Sequence, residues 1–129
     1  PQPLFWVDGS GLSRYNQFTP ESIVKVWEKI LEIRSAEKLF PLLAKSGNTG
    51  SITGVFKDRP GIIHGKTGSL RHQYSLSGFI LTKSGKTYIF SSMNANFAVP
   101  TNSVRSDVER ILNQIYYIFS SITLTEMLL

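Results

Sequence analysis

Apolar residues recur every three or four positions in two stretches of this chain, and in denser runs between them. In the first stretch Ile23, Val26, Trp27, Ile30 and Leu31 hold helical spacing, with Arg34 continuing it. That period predicts an amphipathic helix running to about Ser35. Thr19 supplies an N-cap, Pro20 the first helical position and Glu21 an acid in the first turn. Ala36 to Leu43 reads as another short turn. Lys45 to Thr53 reads as a glycine- and serine-rich loop, with one helical turn near Ile52 to Lys57.

Strands are predicted at about Ile62 to Thr67, Tyr74 to Thr82 and Thr87 to Asn94, where apolar runs are bounded by turn residues. Lys83-Ser84-Gly85-Lys86 has no apolar residue and one glycine, as a tight hairpin requires. Pro100 ends this region, and a long apolar stripe at helical spacing runs from Val104 to Phe119. Pro1 to Asn16 reads as a short extended segment entering a loop. The tail Ser120 to Leu129 is too short and too polar to span a bilayer. The expected order is helix, three antiparallel strands, long helix: an α/β chain of the α+β kind.

Composition adds limits. A length of 129 residues with 41% hydrophobic content suits one domain with an ordinary core. The formal charge is +5, from 14 Lys and Arg against 9 Asp and Glu. The cations Lys25, Lys29, Arg34 and Lys38 recur along one helix and read as a solvated face. No ribonucleoprotein motif or zinc-finger spacing accompanies them, so no nucleic-acid partner is expected. A basic domain binding polyanions through Lys25, Lys29 and Lys38 is the third-ranked reading.

With no cysteine, disulfides and thiolate metal sites are excluded. His64 and His72 lack helical ligand spacing and nearby carboxylates, so both read as structural or surface residues and no metal or cofactor is expected. No signal peptide is visible. The chain begins at Pro1 without a methionine and reads as a piece of a longer protein, so missing targeting signals carry no weight.

The candidate chemistry centres on Lys66-Thr67-Gly68, inside the run Ile62 to Leu70. Placed at the end of a strand, a cation and a hydroxyl can hold a carboxylate, and the next backbone N–H can face a developing oxyanion. Gly68 lets a substrate backbone lie close. The bland alternative is a polar strand end. A phosphate-binding loop does not fit: the glycine needed five positions before Gly65-Lys66 or Gly85-Lys86 is replaced by Pro60 or Ile80, and strand-like sequence follows where a helix should. Gly9-Ser10-Gly11 is not a nucleophile elbow, so a serine triad fails too.

Upstream lies Val7-Asp8-Gly9-Ser10-Gly11-Leu12-Ser13-Arg14-Tyr15-Asn16. This phrase, the stretch Phe40-Pro41-Leu42-Leu43-Ala44…Gly50-Ser51-Ile52, and Lys66-Thr67-Gly68-Ser69-Leu70 together resemble the class C low-molecular-mass penicillin-binding proteins. These are the D-alanyl-D-alanine carboxypeptidases and endopeptidases. The resemblance runs from about Phe5 to Phe119 and covers the C-terminal part of such an enzyme.

It implies the C-terminal part of the penicillin-recognising, β-lactamase-like fold over residues 1–129, without the N-terminal strands, the nucleophile helix or the helical subdomain. It implies a parent enzyme acting outside the cytoplasmic membrane, in the periplasm or cell envelope. The substrate would be peptidoglycan stem peptides ending in D-Ala-D-Ala, attacked through an acyl-serine, and β-lactams would bind. Membrane association would be peripheral at most. Lys66 would supply positive charge, Thr67 would bond the terminal carboxylate, and the Ser69 N–H would be one of two oxyanion donors. Ser10, Leu12 and Arg14 would line the cleft.

For the loop residues plainer readings stand beside these. Asp8 and Asn16 cap turns, Ser10 satisfies a backbone group, and Arg14 makes a surface ion pair. Such enzymes also need Ser-x-x-Lys and Ser-x-Asn. Ser22-Ile23-Val24-Lys25 and Ser46-Gly47-Asn48 match by letters but read as decoys, because twenty residues between Lys25 and Ser46 leave no room for a helical subdomain. The isolated chain is therefore expected to be inactive. The competing class is a non-catalytic peptide-binding or assembly module with the same fold. The strand Thr87 to Asn94, unpaired on one side, is expected to favour homo-oligomers.

Overall fold

The computed structural model describes residues 4–118; the expectations for the tail 120–129 lie outside the described residues. Helix α1 spans Pro20–Ile33, and a short α2 spans Ala36–Leu39. Strands follow at β1 (Ala44–Lys45), β2 (Ile63–Leu70), β3 (Gln73–Leu81) and β4 (Thr87–Ala95), and α3 (Thr101–Ile118) closes the described chain. The four strands form one antiparallel sheet in the order β1-β2-β3-β4.

The architecture follows from alternation along β3. Tyr74, Leu76 and Ile80 face one side and pack with Val104, Val108 and Leu112 of α3. Phe79 faces the other side and packs with Trp27 of α1 and Leu39 of α2. A strand with apolar residues on both faces must be covered on both, and here one helix layer covers each. Trp27 binds the sheet twice, its ring edge-on to Phe79 at 5.4 Å and its Nε1 donating to Ser77 Oγ at 3.0 Å. The buried indole N–H is thereby satisfied.

The loop between β1 and β2 is tied to α3. Glu109 Oε1 accepts from the Phe56 N–H at 2.7 Å, and Arg59 donates to Asn113 Oδ1 at 2.6 Å. The Arg59 guanidinium also lies 4.8 Å from the centre of the Tyr116 ring.

Several expectations need correction. The sheet has four strands where three were expected. The extra one, β1, is two residues long, too short to carry any periodicity. The first expected strand does not stop at Thr67 but continues to Leu70, so Lys66-Thr67-Gly68 lies within β2 and not at its end. The polar residues that read as a break are in register to the pair Leu70↔Gln73, and only Arg71 and His72 form the turn. The helical turn expected near Ile52 to Lys57 is a 3-10 turn at Gly50–Ile52. The four cations read as one helical row are also divided, since Arg34 is the C-cap of α1 and Lys38 belongs to α2.

Candidate active-site edge on strand β2

Which backbone groups of β2 are open follows from its register. The Ile63 carbonyl accepts from Ser46 N and the Ile63 N–H donates to Ser46 Oγ, both at 3.0 Å, so Ile63 points its amide and carbonyl toward β1. The Ile62 carbonyl instead accepts from Leu81 N on the β3 side. In an antiparallel strand this direction alternates residue by residue. Gly65, Thr67 and Ser69 therefore point outward with Ile63. β1 reaches only as far as the pair Ala44↔Gly65. Beyond it, the backbone groups of Thr67 and Ser69 face outward with no described strand against them.

Side chains alternate between faces in the same way. Lys66 pairs with Ser77 and lies on the α1 side of the sheet. Its exposed Nζ turns back to the Thr67 carbonyl at 2.6 Å. Thr67 pairs with Leu76 and lies on the α3 side, where its hydroxyl donates to Ser51 Oγ at 2.7 Å. A β-carbon on Gly68 would lie 2.8 Å from Ser75 Oγ, a contact that rotation of the serine side chain relieves.

The loop before α1 is braced from within. Asn16 Oδ1 accepts from the N–H groups of Val7 (2.7 Å) and Asp8 (3.1 Å), while its Nδ2 donates to Asp8 Oδ1 at 2.9 Å. Ser10 Oγ donates to Asp8 Oδ2 at 3.0 Å and accepts from the Leu12 N–H at 3.2 Å. The bond from Asn16, and then that from Ser10, holds the Asp8 carboxyl below the usual carboxylate range. The plain readings of Asp8, Asn16 and Ser10 thus hold at this level. Among the described residues Arg14 makes no ion pair: its guanidinium donates to the Arg71 carbonyl in the β2–β3 turn at 3.3 Å. That bond sets the loop beside the end of β2, and Leu12 stays exposed.

The two serine motifs that match by letters are occupied with local work. Ser22 Oγ accepts from the Thr19 N–H and donates to the Thr19 carbonyl, completing a capping box at the start of α1. Lys25 pairs with Glu21 at 2.9 Å, and that carboxylate raises the lysine pKa, the reverse of what a general base needs. Ser46 is fully buried with its hydroxyl bound to Ile63. His64 stacks on Phe40 at 4.6 Å, and burial lowers its pKa. No cluster of acidic, histidine or cysteine side chains able to hold a metal occurs among the described residues.

Sequence reasoning missed Ser51 as the partner of Thr67. The residue lies 16 positions upstream on a separate turn, and no periodicity joins the two.

Known proteins share this fold. Against the penicillin binding protein 4 (dacB) structure from Haemophilus influenzae the chain superposes with a TM-score of 0.76 at 25% identity, covering 88% of this chain and 28% of that one. A second structure of that protein, complexed with a novel β-lactam, matches equally well. In sequence the chain is 32% identical over 127 residues to penicillin-sensitive carboxypeptidase A of Dictyostelium discoideum, covering 92% of this chain and 24% of that protein. It is 34% identical over 91 residues to D-alanyl-D-alanine carboxypeptidase DacB of Haemophilus influenzae, covering 64% of this chain and 18% of that protein. The chain thus spans about a quarter or less of the length of these relatives. Residues 3–115 match the model of one family throughout, and the chain belongs to it: the D-Ala-D-Ala carboxypeptidase 3 (S13) family.

Proposed function

We propose that this chain is the C-terminal, substrate-binding part of a serine-type D-Ala-D-Ala carboxypeptidase or endopeptidase. The whole enzyme would work outside the cytoplasmic membrane on peptidoglycan stem peptides, by acylation and deacylation of a serine outside this chain. The observation that carries the reading is the uncovered edge of β2. A stem-peptide end laid along it meets the outward N–H of Ser69 as an oxyanion donor, the Thr67 hydroxyl as a carboxylate donor and the Lys66 ammonium as a nearby positive charge. A backbone N–H fixed in a strand, such as that of Ser69, needs no rearrangement when charge develops, which is what oxyanion stabilisation requires. Arg14, held at the Arg71 carbonyl, brings the loop with Ser10 and Leu12 to the same end of the strand.

Acylation is the part this chain does not supply. Ser22 and Ser46 have their hydroxyls engaged in a helix cap and in the Ile63 backbone. By itself the chain binds a peptide end but does not turn it over.

Fluorescent penicillin tests this reading. The full-length protein is expected to be labelled on one serine outside residues 1–129, with Lys66→Ala slowing labelling about a hundredfold, and the isolated chain to stay unlabelled. A labelled serine within residues 1–129, or a Lys66→Ala variant labelled at the original rate, overturns it. Reversible peptide binding with no labelling of the full-length protein would favour the non-catalytic module instead.

A further inference from the structure

We infer that Ser51 is a positioning residue for carboxylate binding, a hydroxyl that turns Thr67 from a donor toward the protein into a donor toward the ligand. The inference rests on the binding edge proposed above and concerns a residue outside its backbone groups.

In the structure the Thr67 hydroxyl donates a hydrogen bond to Ser51 Oγ at 2.7 Å. A carboxylate only accepts hydrogen bonds. To hold one, Thr67 must swing its proton outward, which leaves its oxygen free to accept. Ser51 then has both the place and the chemistry to donate to that oxygen, so the bond is kept and its direction reversed. Donation into the threonine oxygen also polarises the outward O–H and strengthens its hold on the anion.

The turn that carries Ser51 is built to stay still. Gly50 has φ +69°, and a β-carbon there would lie 2.7 Å from Ala44 Cβ, so the turn is pressed onto β1. Ile52, the next residue after Ser51, is fully buried in the α3-side core. Ser46, at the start of the same loop, is bonded in both directions to Ile63 of β2. An exposed serine between a close-packed glycine and a buried isoleucine has little freedom to leave Thr67.

The test uses the isotopically labelled chain as it stands, with N-acetyl-D-alanyl-D-alanine as probe and N-acetyl-D-alanyl-D-alaninamide as the carboxylate-free control. Binding is read from the amide resonances of Thr67 and Ser69. Ser51→Ala is expected to weaken the acid about fivefold, as loss of one hydrogen bond would, and to leave the amide unchanged. Ser51→Thr is expected to restore acid binding. In a Thr67→Val background, Ser51→Ala is expected to add nothing.

Equal weakening of acid and amide means a merely structural serine and overturns the inference. So does a Thr67→Val variant that weakens acid binding while Ser51→Ala does not. If the acid perturbs neither amide in the unsubstituted chain, the proposed binding edge fails and the inference fails with it.

Discussion

The two edges of the sheet are built from opposite materials. Past β1, the edge of β2 is polar: Lys66 caps the Thr67 carbonyl, Thr67 bonds Ser51, and Arg14 fastens a braced loop at the end of the strand. The edge at β4 is apolar. It opens on a groove of about 340 Å³ lined by Phe90, Met93, Val108, Ile111, Leu112 and Ile115, and Ser91 Oγ lies buried with no hydrogen-bond partner among the described residues. A strand edge offers the same backbone donors and acceptors in both places. What differs is the company around them. Charged and hydroxyl groups suit a small anionic ligand that comes and goes, whereas an apolar groove beside unpaired backbone suits another strand that stays. We therefore expect β4 to pair with a strand from outside the described residues or with a second copy of this chain.

The strongest way to break this contrast is to remove what holds the polar edge in place. Ile52→Ala empties a fully buried position under the Ser51 turn. It is expected to cost about 3 kcal/mol of stability in a denaturant titration. A loss below about 1 kcal/mol would mean that the turn is supported some other way.

The apolar edge is tested by charge. Ile111 is 49% exposed and lines the groove, so Ile111→Lys should hardly change the stability of the fold. It is expected to raise the dissociation constant for self-association about tenfold in sedimentation. A chain that is monomeric at every concentration, before or after substitution, counts against an associating edge.

A smaller effect separates the serine motifs from the site. Ser22→Ala removes half of the capping box at α1, for roughly 1 kcal/mol or less. Penicillin labelling of the full-length protein should be unchanged, and a lost label would return Ser22 to the chemistry.

The smallest effect is a pH dependence at the last rung of β1, where Lys45 pairs with His64. Burial, and then the Lys45 charge, lower the His64 pKa from its ordinary 6.5. The unfolded chain therefore binds the proton first. Its contribution to stability is whole above pH 6.5 and is lost as the pH falls through the folded pKa. Denaturation midpoints at successive pH values should decline in that window, and His64→Gln should flatten the decline. The depressed Asp8 pKa acts in a separate window, below its ordinary 3.8.

Much of this molecule was legible in the sequence because it is encoded locally. Thr19, Pro20 and the spacing from Ile23 to Leu31 specify α1, whose cap and bounds are set within a few residues. Apolar runs and a glycine hairpin specify β3 and β4, and the stripe from Val104 onward specifies α3. The family was legible as well, in the phrase Asp8 to Asn16 and in Lys66-Thr67-Gly68.

Only the tertiary structure decided the rest. The position of Lys66-Thr67-Gly68 within β2 depends on pairing with β3, because strand pairing continues through polar residues that show no period. The open amide of Ser69 depends on where β1 stops, and β1 is too short to leave a pattern. Ser51 meets Thr67 only because a glycine turn is pressed against Ala44 on one side and buried Ile52 anchors the chain on the other. Helix caps and amphipathic faces act over a few residues and can be read along the chain. An edge, and the hydroxyl beside it, exist only once distant segments have packed.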